Sequence, residues 1–183
     1  MNKQNFKIII GLGNPGQEYR RTYHNAGSMF IDYLAEYFSP NEPFKKPRFK
    51  NFEFINNDKS IIVKTLAFMN LSGGSVLSAL KYFSAGKSAI KPEEILIAHD
   101  DVDIELGKYK FDMDRGSAGH RGIESIIKSL GTKNFGRLRI GIGLPNRLKA
   151  DSYVLNTINK KNLEIINQTF DQIISQLFQS ASN

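Results

Sequence analysis

Short apolar runs alternate along the chain with segments whose apolar residues recur at helical spacing. A continuous apolar run ended by Gly, Pro or polar residues is typical of a buried strand, and a spacing of three to four residues is typical of a helix. The strand-like runs are Phe6–Ile10, Phe52–Ile55, Ile61–Leu66, Ile95–Ala98, Gly107–Phe111 and Leu138–Ile142. The helical segments run from about Asn25 to Phe38, from Val76 to Phe83, from Ile123 to Leu130 and from Leu163 to Leu177.

This alternation of strands and helices predicts the fold class. It indicates an α/β protein built as a single-domain three-layer sandwich, with a twisted mixed sheet flanked by helices. Turn residues at Asn56–Asp58 join two of the strands as a hairpin, and this antiparallel pair makes the sheet mixed. The length of 183 residues corresponds to one domain, residues 1–183, on a scale of about 100–200 residues per domain.

Composition narrows the class of protein. Hydrophobic residues make up 40% of the chain, which is enough for a sizeable core. The chain has no cysteine, which excludes disulfides, thiol nucleophiles and cysteine-ligated metals. No apolar run approaches the roughly 18 residues of a membrane span, and the N-terminal run is too short for a signal peptide. We therefore expect a cytoplasmic protein with no membrane association.

Charge adds a hint about the partner. Lys and Arg number 25 against 18 Asp and Glu, a net charge of +7, and a basic balance favours a polyanionic partner. One basic cluster, Lys45–Lys50, has no assigned role at this stage and is also consistent with a solvated loop. Arg139 alternates with apolar residues, which predicts a strand with one basic face.

Ligands of α/β proteins usually bind beyond the carboxyl ends of the strands, so the loops there are the first place to expect chemistry. The first loop, Gly11–Gly16, fits the G-x-G-x-x-G pattern of dinucleotide-binding folds. Pro15 delays the following helix, and the acidic residue about twenty positions on, Asp32, lies inside a predicted helix. Dinucleotide binding is therefore disfavoured. A tight structural turn explains the glycines of this loop but not Asn14.

Histidines and carboxylates follow in two further segments. His24 stands among small and polar residues at a helix start, where a histidine is suited to act as a general base near neutral pH. His99–Asp103 directly follows the predicted strand Ile95–Ala98 and is interpreted as a loop. A divalent metal is one interpretation of this acidic run, although three adjacent acids cannot all reach one ion from a strand end. The alternative is a carboxylate that orients a histidine and stabilises its protonated form.

Two other loops contain candidate ligand contacts. Asn70 either caps the helix that follows or faces a ligand. The glycine-rich segment Arg115–Gly122 is either a plain connection or a mobile loop beside the substrate. Ser117 is not a nucleophile elbow, because Arg115 occupies the first glycine position of G-x-S-x-G. A His–Asp pair acting on water is therefore the simplest chemistry that the sequence offers.

Six motifs occur in one order along the chain, between about Lys7 and Leu155. They are Gly11–Gly16, Tyr19–Asn25, Phe68–Gly73, His99–Asp103, Gly119–Gly122 and Arg137–Gly143. In this order and spacing the chain resembles bacterial peptidyl-tRNA hydrolases. The resemblance implies an enzyme that hydrolyses the ester bond between peptide and tRNA and releases free tRNA for reuse in translation. It also implies a monomer that needs no metal or other cofactor.

The resemblance also implies roles for individual residues. His24 matches the catalytic base, and Asp100 matches the carboxylate that hydrogen-bonds it. Asn14 matches the residue that separates N-blocked peptidyl esters from free aminoacyl esters. The contacts to the 3′ end of the tRNA and to the peptide correspond to Tyr19, Phe68 and Asn70. The basic residues in a position to clamp phosphates are Lys110 and Arg139.

Three positions depart from the family pattern. Tyr23 replaces an arginine before the catalytic histidine, Ala118 replaces a loop glycine, and Arg121 replaces an asparagine. Arg121 cannot accept a hydrogen bond as asparagine can, so substrate contacts by His120 and Arg121 stay open. A non-catalytic RNA-binding relative is the alternative of a different class. Retention of His24 together with Asp100 favours the enzyme, because a binding protein has no need of a base paired with a carboxylate.

Overall fold

The computed structural model describes residues 6–85, 88–144 and 153–179 and contains a six-stranded mixed sheet. The strands are β1 Ile8–Gly11, β2 Phe52–Asn56, β3 Ile61–Thr65, β4 Ile95–Glu105, β5 Tyr109–Asp112 and β6 Gly136–Gly143. Their order in the sheet is β2-β3-β1-β4-β6-β5. The helices are α1 Ala26–Phe38, α2 Ser72–Ser84, α3 Arg121–Leu130 and α4 Lys160–Ile174.

Strand pairing confirms the predicted mixed sheet. β1 is parallel to β3 and β4, and β4 is parallel to β6. The predicted hairpin is the antiparallel pair β2–β3, and β5 adds a second antiparallel pair with β6. Because β1 is covered on both faces, its three isoleucines are buried without the alternation of a half-exposed strand.

The helices cover both faces of the sheet, as the three-layer prediction requires. Phe30 and Leu34 of α1 share one apolar cluster with Phe170 of α4. Val76 of α2 shares the other cluster with Ile123 of α3. No helix in the described ranges is both long and apolar enough to cross a membrane.

β4 is longer than the sequence pattern predicts. We expected the strand to end at Ala98, but it continues to Glu105. It pairs with β6 from Leu96 to Asp101 and, after a register shift, again at Glu105. The segment His99–Asp103 is therefore part of a strand and not a loop. The prediction was wrong because the first three polar residues of this segment are buried, and buried polar groups are compatible with a strand only when partners satisfy them.

β6 does not present the basic face that the alternating pattern predicts. Arg137 is buried and donates hydrogen bonds to the backbone carbonyls of Lys133 (3.1 Å), Phe135 (2.7 Å) and Arg115. Burial lowers the pKa of Arg137 to about 10. Its contact with the Arg115 carbonyl fixes the start of the glycine-rich loop against the sheet.

The start of α1 lies directly against β4. A Cβ atom on Gly27 would lie 2.2 Å from the carbonyl oxygen of Ala98 and 2.9 Å from that of Leu12. Both neighbours are backbone atoms and cannot rotate away. Only glycine therefore permits this approach, which brings the residues preceding α1 close to the polar half of β4.

We predict that Gly27→Ala lowers the free energy of unfolding by about 3 kcal/mol, the upper range for overpacking of a core. Urea denaturation measures this change. Gly74→Ala is the matched control, because a Cβ on Gly74 would meet no neighbouring heavy atom within 4 Å in the part of the chain that the structure describes. Equal stability of the two variants would contradict the close approach.

Candidate active site

A cavity of about 740 Å³ opens at the carboxyl ends of the central parallel strands. Its lining brings together seven of the residues that sequence analysis selected. They are Asn14, His24, Phe68, Asn70, Asp100, His120 and Arg121. Tyr19, Lys110 and Arg139 are not part of this lining. These seven residues come from five separate segments of the chain.

His24 and Asp100 form a hydrogen-bonded pair at the base of this cavity. The Nδ1 atom of His24 lies 2.9 Å from Oδ1 of Asp100. His24 belongs to a single 3₁₀ turn, Tyr23–Asn25, that precedes α1, and its backbone N–H donates to the carbonyl of Val154. Because a carboxylate only accepts hydrogen bonds, Nδ1 carries the proton and the lone pair of the neutral ring lies on Nε2.

His120 donates to the same carboxylate oxygen. Its Nε2 lies 3.0 Å from Oδ1 of Asp100. Its Nδ1 accepts the backbone N–H groups of Gly122 (3.1 Å) and Ile123 (3.3 Å), so His120 is the N-cap of α3. Since Nδ1 is an acceptor, the proton of the neutral ring must be on Nε2. One oxygen of Asp100 therefore receives two imidazole N–H groups.

This double donation controls the ionisation of Asp100. Burial of the side chain acts to raise its pKa, but the charge and hydrogen bond of His120 and the hydrogen bond of His24 outweigh burial. The net effect is a pKa well below the usual value for aspartate. Asp100 therefore remains ionised in the pH range where a histidine accepts or releases a proton.

His99 completes the surroundings of Asp100. Its Nδ1 lies 2.7 Å from the backbone carbonyl of Asp100, and its ring packs edge-on against His120 with centroids 4.6 Å apart. Burial, followed by the charge of His120, holds the pKa of His99 well below the usual value for histidine. All three histidines of the chain thus contact Asp100, two through its carboxylate and His99 through its backbone carbonyl.

His24, Asp100 and His120 lie close enough together to resemble a metal site. Ligand atoms of His24, Asp100 and His120 lie within 4.8 Å of one another. A metal ligand must be a deprotonated ring nitrogen, yet Nε2 of His120 carries a proton as long as Nδ1 caps α3. The tautomers therefore fit a hydrogen-bonded cluster better than a metal site.

The acidic run of β4 does not converge on one point either. Asp101 turns away from Asp100 and binds Arg139, whose Nε lies 2.7 Å from Oδ2 of Asp101. The second guanidinium contact of Arg139 is with Asp112 at 2.8 Å. Only 7% of the Arg139 side chain is exposed, so it forms a buried structural ion pair with these carboxylates. These contacts with two carboxylates do not support the predicted contact of Arg139 with a phosphate.

Asn14 is held in place by its backbone and its side chain. Its backbone N–H and C=O are both bonded to the side chain of Asn25, at 2.8 Å and 2.9 Å. Its Oδ1 accepts the backbone N–H of Met69 at 2.8 Å. This leaves the Nδ2 amide of Asn14 as the donor available for the cavity. Sequence reasoning did not select Asn25, although it directly follows His24 in the same motif.

Phe68 and Asn70 form an exposed wall of the cavity. The ring of Phe68 is 51% exposed and meets Tyr19 edge-on, with centroids 6.4 Å apart. Asn70 lies in the 3₁₀ turn Met69–Leu71, and the N-cap of α2 is Leu71. The interpretation of Asn70 as a helix cap is therefore wrong, and its exposed side chain lines the cavity.

Of the remaining predicted positions, Ala118 and Arg121 line the cavity, whereas Lys110 and Tyr23 do not. Lys110 is exposed on the edge strand β5, in register with Arg139. Arg121 is exposed at the first position of α3. Tyr23, a departure from the family pattern, is buried and its hydroxyl accepts a 2.7 Å hydrogen bond from Asn162 of α4. Ala118 adopts a φ of 48°, a conformation that glycine reaches with less strain.

The sequence of this chain is similar to those of known proteins. The family model described as Peptidyl-tRNA hydrolase matches residues 8–183. A peptidyl-tRNA hydrolase of Aquifex aeolicus is 37% identical over 177 residues, which is 95% of this chain and 89% of the relative. One from Mycoplasma mycoides is 40% identical over 168 residues, covering 90% and 87%.

Solved structures agree with these relatives. The crystal structure of peptidyl-tRNA hydrolase from Acinetobacter baumannii matches with a TM-score of 0.81 and 31% identity. The match covers 97% of this chain and 89% of that chain. The chain belongs to the peptidyl-tRNA hydrolase family.

Proposed function

We propose that this protein hydrolyses the ester bond between peptide and tRNA in peptidyl-tRNA, with His24 as general base and Asp100 as its orienting partner. The observation that carries the proposal is the 2.9 Å His24–Asp100 hydrogen bond in a cavity lined by amide and aromatic side chains. Membership of the family supports the substrate class.

The chemistry needs only water and this pair. Nε2 of His24 takes a proton from water while the water oxygen attacks the ester carbonyl carbon, and the carbonyl oxygen becomes an oxyanion. When the carbonyl re-forms, the bond to the ribose oxygen breaks and that oxygen takes the proton back from His24. The products are a peptide carboxylic acid and a free tRNA hydroxyl. Ionised Asp100 stabilises the intermediate imidazolium.

Neighbouring residues supply binding and discrimination. The Nδ2 group of Asn14 and the side chain of Asn70 donate to carbonyl oxygens of the peptide, and a free aminoacyl ester offers fewer such acceptors. Phe68 and Tyr19 pack against the terminal adenosine. Lys110 contacts a phosphate of the tRNA. The protein acts as a monomer consisting of one domain.

His120 and Arg121 have different roles in this proposal. His120 is a positioning residue, because its Nε2–H holds the oxygen of Asp100 that also receives His24. Arg121 directs a guanidinium toward the cavity and contacts a substrate carbonyl or phosphate. Arg121 stands where the resemblance implies an asparagine. Because arginine only donates hydrogen bonds, its role differs from that of an asparagine, which can also accept them.

Two alternatives have less support. In a dinucleotide fold the glycine loop opens directly into a helix whose N-terminus faces the pyrophosphate. Here β1 ends at Gly11 and α1 begins only at Ala26. A non-catalytic RNA-binding protein has no use for a buried carboxylate shared by two histidines beside the cavity.

We predict that Asn14→Asp lowers kcat/KM for an N-acetylated aminoacyl-tRNA by about 10- to 100-fold, the effect of losing a donor to a buried acceptor. Aspartate keeps the oxygen that accepts the Met69 N–H but lacks the amide donor. The assay is release of the acetylated amino acid. Asn134→Asp, at the opposite end of β6, makes the same charge change on an exposed residue and serves as the control. Equal kcat/KM values for Asn14→Asp and Asn134→Asp would contradict a role of Asn14 in substrate recognition.

A further inference from the structure

An exposed aromatic ring stands on the segment between α1 and β2. The side chain of Phe49 is 89% exposed, more than any other large hydrophobic residue in the described part of the chain. Its φ is 59°, a left-handed conformation that is unusual for a bulky side chain. Neither burial nor backbone preference therefore explains a phenylalanine at this position.

The turn that carries Phe49 is held at both ends. On one side, Lys45 and Phe54 exchange two backbone hydrogen bonds of 2.8 Å and 3.0 Å. On the other side, the N–H of Leu66 donates to the carbonyl of Asn51 at 2.9 Å. Strain that persists in a well-anchored turn is commonly associated with function. The anchors therefore present the ring to solvent in a fixed place.

This turn lies at the same end of the sheet as the candidate active site. Asn51 precedes β2 and Leu66 follows β3. Because the two strands are antiparallel, the start of β2 and the end of β3 lie at the same end of the sheet. Phe49 lies two residues before Asn51, and Phe68 lies two residues after Leu66. Residue spacing and strand separation limit the distance between the two Cα atoms to about 20 Å. The two exposed rings thus lie at the same end of the sheet, within the reach of a few nucleotides of one another.

The charge around Phe49 is basic and not neutralised. The guanidinium of Arg48 lies over its ring, 4.7 Å from the centroid. Lys45 has a 3.4 Å contact with Glu42, whereas no carboxylate in the described residues forms an ion pair with Lys46, Arg48 or Lys50. Exposed aromatic rings among unpaired cations are typical of surfaces that bind single-stranded nucleic acid.

We propose that Phe49 stacks on an unpaired nucleotide of the tRNA 3′ strand, upstream of the terminal adenosine that carries the ester. Lys46, Arg48 and Lys50 contact the adjoining phosphates. This inference rests on the proposed function and extends it, because Phe68 and Tyr19 serve the terminal nucleotide and Phe49 serves a preceding one. It also assigns a role to the basic cluster Lys45–Lys50.

The test compares two substrates that share the ester and differ in nucleic acid. One is an N-acetylated aminoacyl-tRNA, and the other is the same acetylated amino acid esterified to adenosine alone. Phe49→Ala is expected to raise KM for the tRNA substrate by about 5- to 30-fold, the loss of one stacked base, with unchanged kcat. It should leave KM for the adenosine ester unchanged. Phe49→Trp should retain tight binding.

Two further variants guard against trivial explanations. Phe49→Gly removes the ring and suits the positive φ, so it should raise KM like Phe49→Ala while folding at least as stably. Tyr37→Ala removes another half-exposed ring at the far end of α1 and should leave both KM values unchanged.

The results distinguish failure of the stacking inference from failure of the proposed function. If the wild-type enzyme cleaves blocked aminoacyl-tRNA but both Phe49 truncations keep its KM, the stacking inference is overturned and the proposed function stands. A parallel rise of KM for the adenosine ester would also overturn it, because the ring would then serve the terminal nucleotide. If the wild-type protein releases nothing from blocked aminoacyl-tRNA, the proposed function itself fails.

Discussion

His24→Ala is expected to lower kcat for an N-acetylated aminoacyl-tRNA by about 10²- to 10⁴-fold, the usual contribution of a general base. The substitution removes Nε2, the atom that takes the proton from water, but leaves Asn14, Asn70 and Phe68 in place. Binding should therefore change little. Single-turnover hydrolysis measures the chemical step, and the Kd for the same tRNA measures binding.

His120→Asn is the informative comparison for this variant. Asparagine is a good N-cap, so it preserves the start of α3 while removing one N–H donor to Asp100. We expect a smaller loss of kcat than for His24→Ala, since no group that handles the proton is lost. Near wild-type turnover by His24→Ala would contradict general-base catalysis by His24, whatever the result for His120→Asn.

Asp100→Asn is expected to lower kcat by about 10²- to 10⁴-fold, the same range as His24→Ala, with KM within a few-fold of wild type. Asparagine can present a donor to His24 Nδ1, which would favour the wrong tautomer, and it has no charge to stabilise the imidazolium. Steady-state kinetics separate kcat from KM. An unchanged rate and an unchanged pH–rate profile would contradict the orienting role.

The same variant has a consequence for acid stability. The pKa of Asp100 is lowered in the folded protein, so the ionised carboxylate stabilises the fold above the unfolded-state pKa of about 3.9. This stabilisation is lost as pH falls through the folded-state pKa. The difference in free energy of unfolding between wild type and Asp100→Asn should therefore shrink below about pH 4. Urea denaturation at a series of pH values measures this difference.

Local patterns in the sequence predicted most of the fold. The hairpin β2–β3 follows from its turn residues, and α3 ends where Gly131 takes a φ of 68°. The end of β4 was not predictable, because its burial depends on partners far away in sequence. Arg139 lies 38 residues from Asp101, and no local pattern shows that the two charges neutralise each other inside the sheet.

The candidate site was only partly accessible from sequence for the same reason. Resemblance to a family supplied His24 and Asp100, which are separated by 76 residues. It did not reveal that His120 donates to the same oxygen while capping α3, or that Asn25 holds the backbone of Asn14. Such contacts depend on where the chain folds back and not on residue type.

Hydrolysis of the ester in peptidyl-tRNA is the central claim, and one measurement tests it most directly. Purified protein is incubated with N-acetylated aminoacyl-tRNA and, in parallel, with the same aminoacyl-tRNA left unblocked, and release of the amino acid is followed. We expect rapid release of the acetylated amino acid and little release of the free one. No release from the blocked substrate, or equal release from both, would contradict the claim.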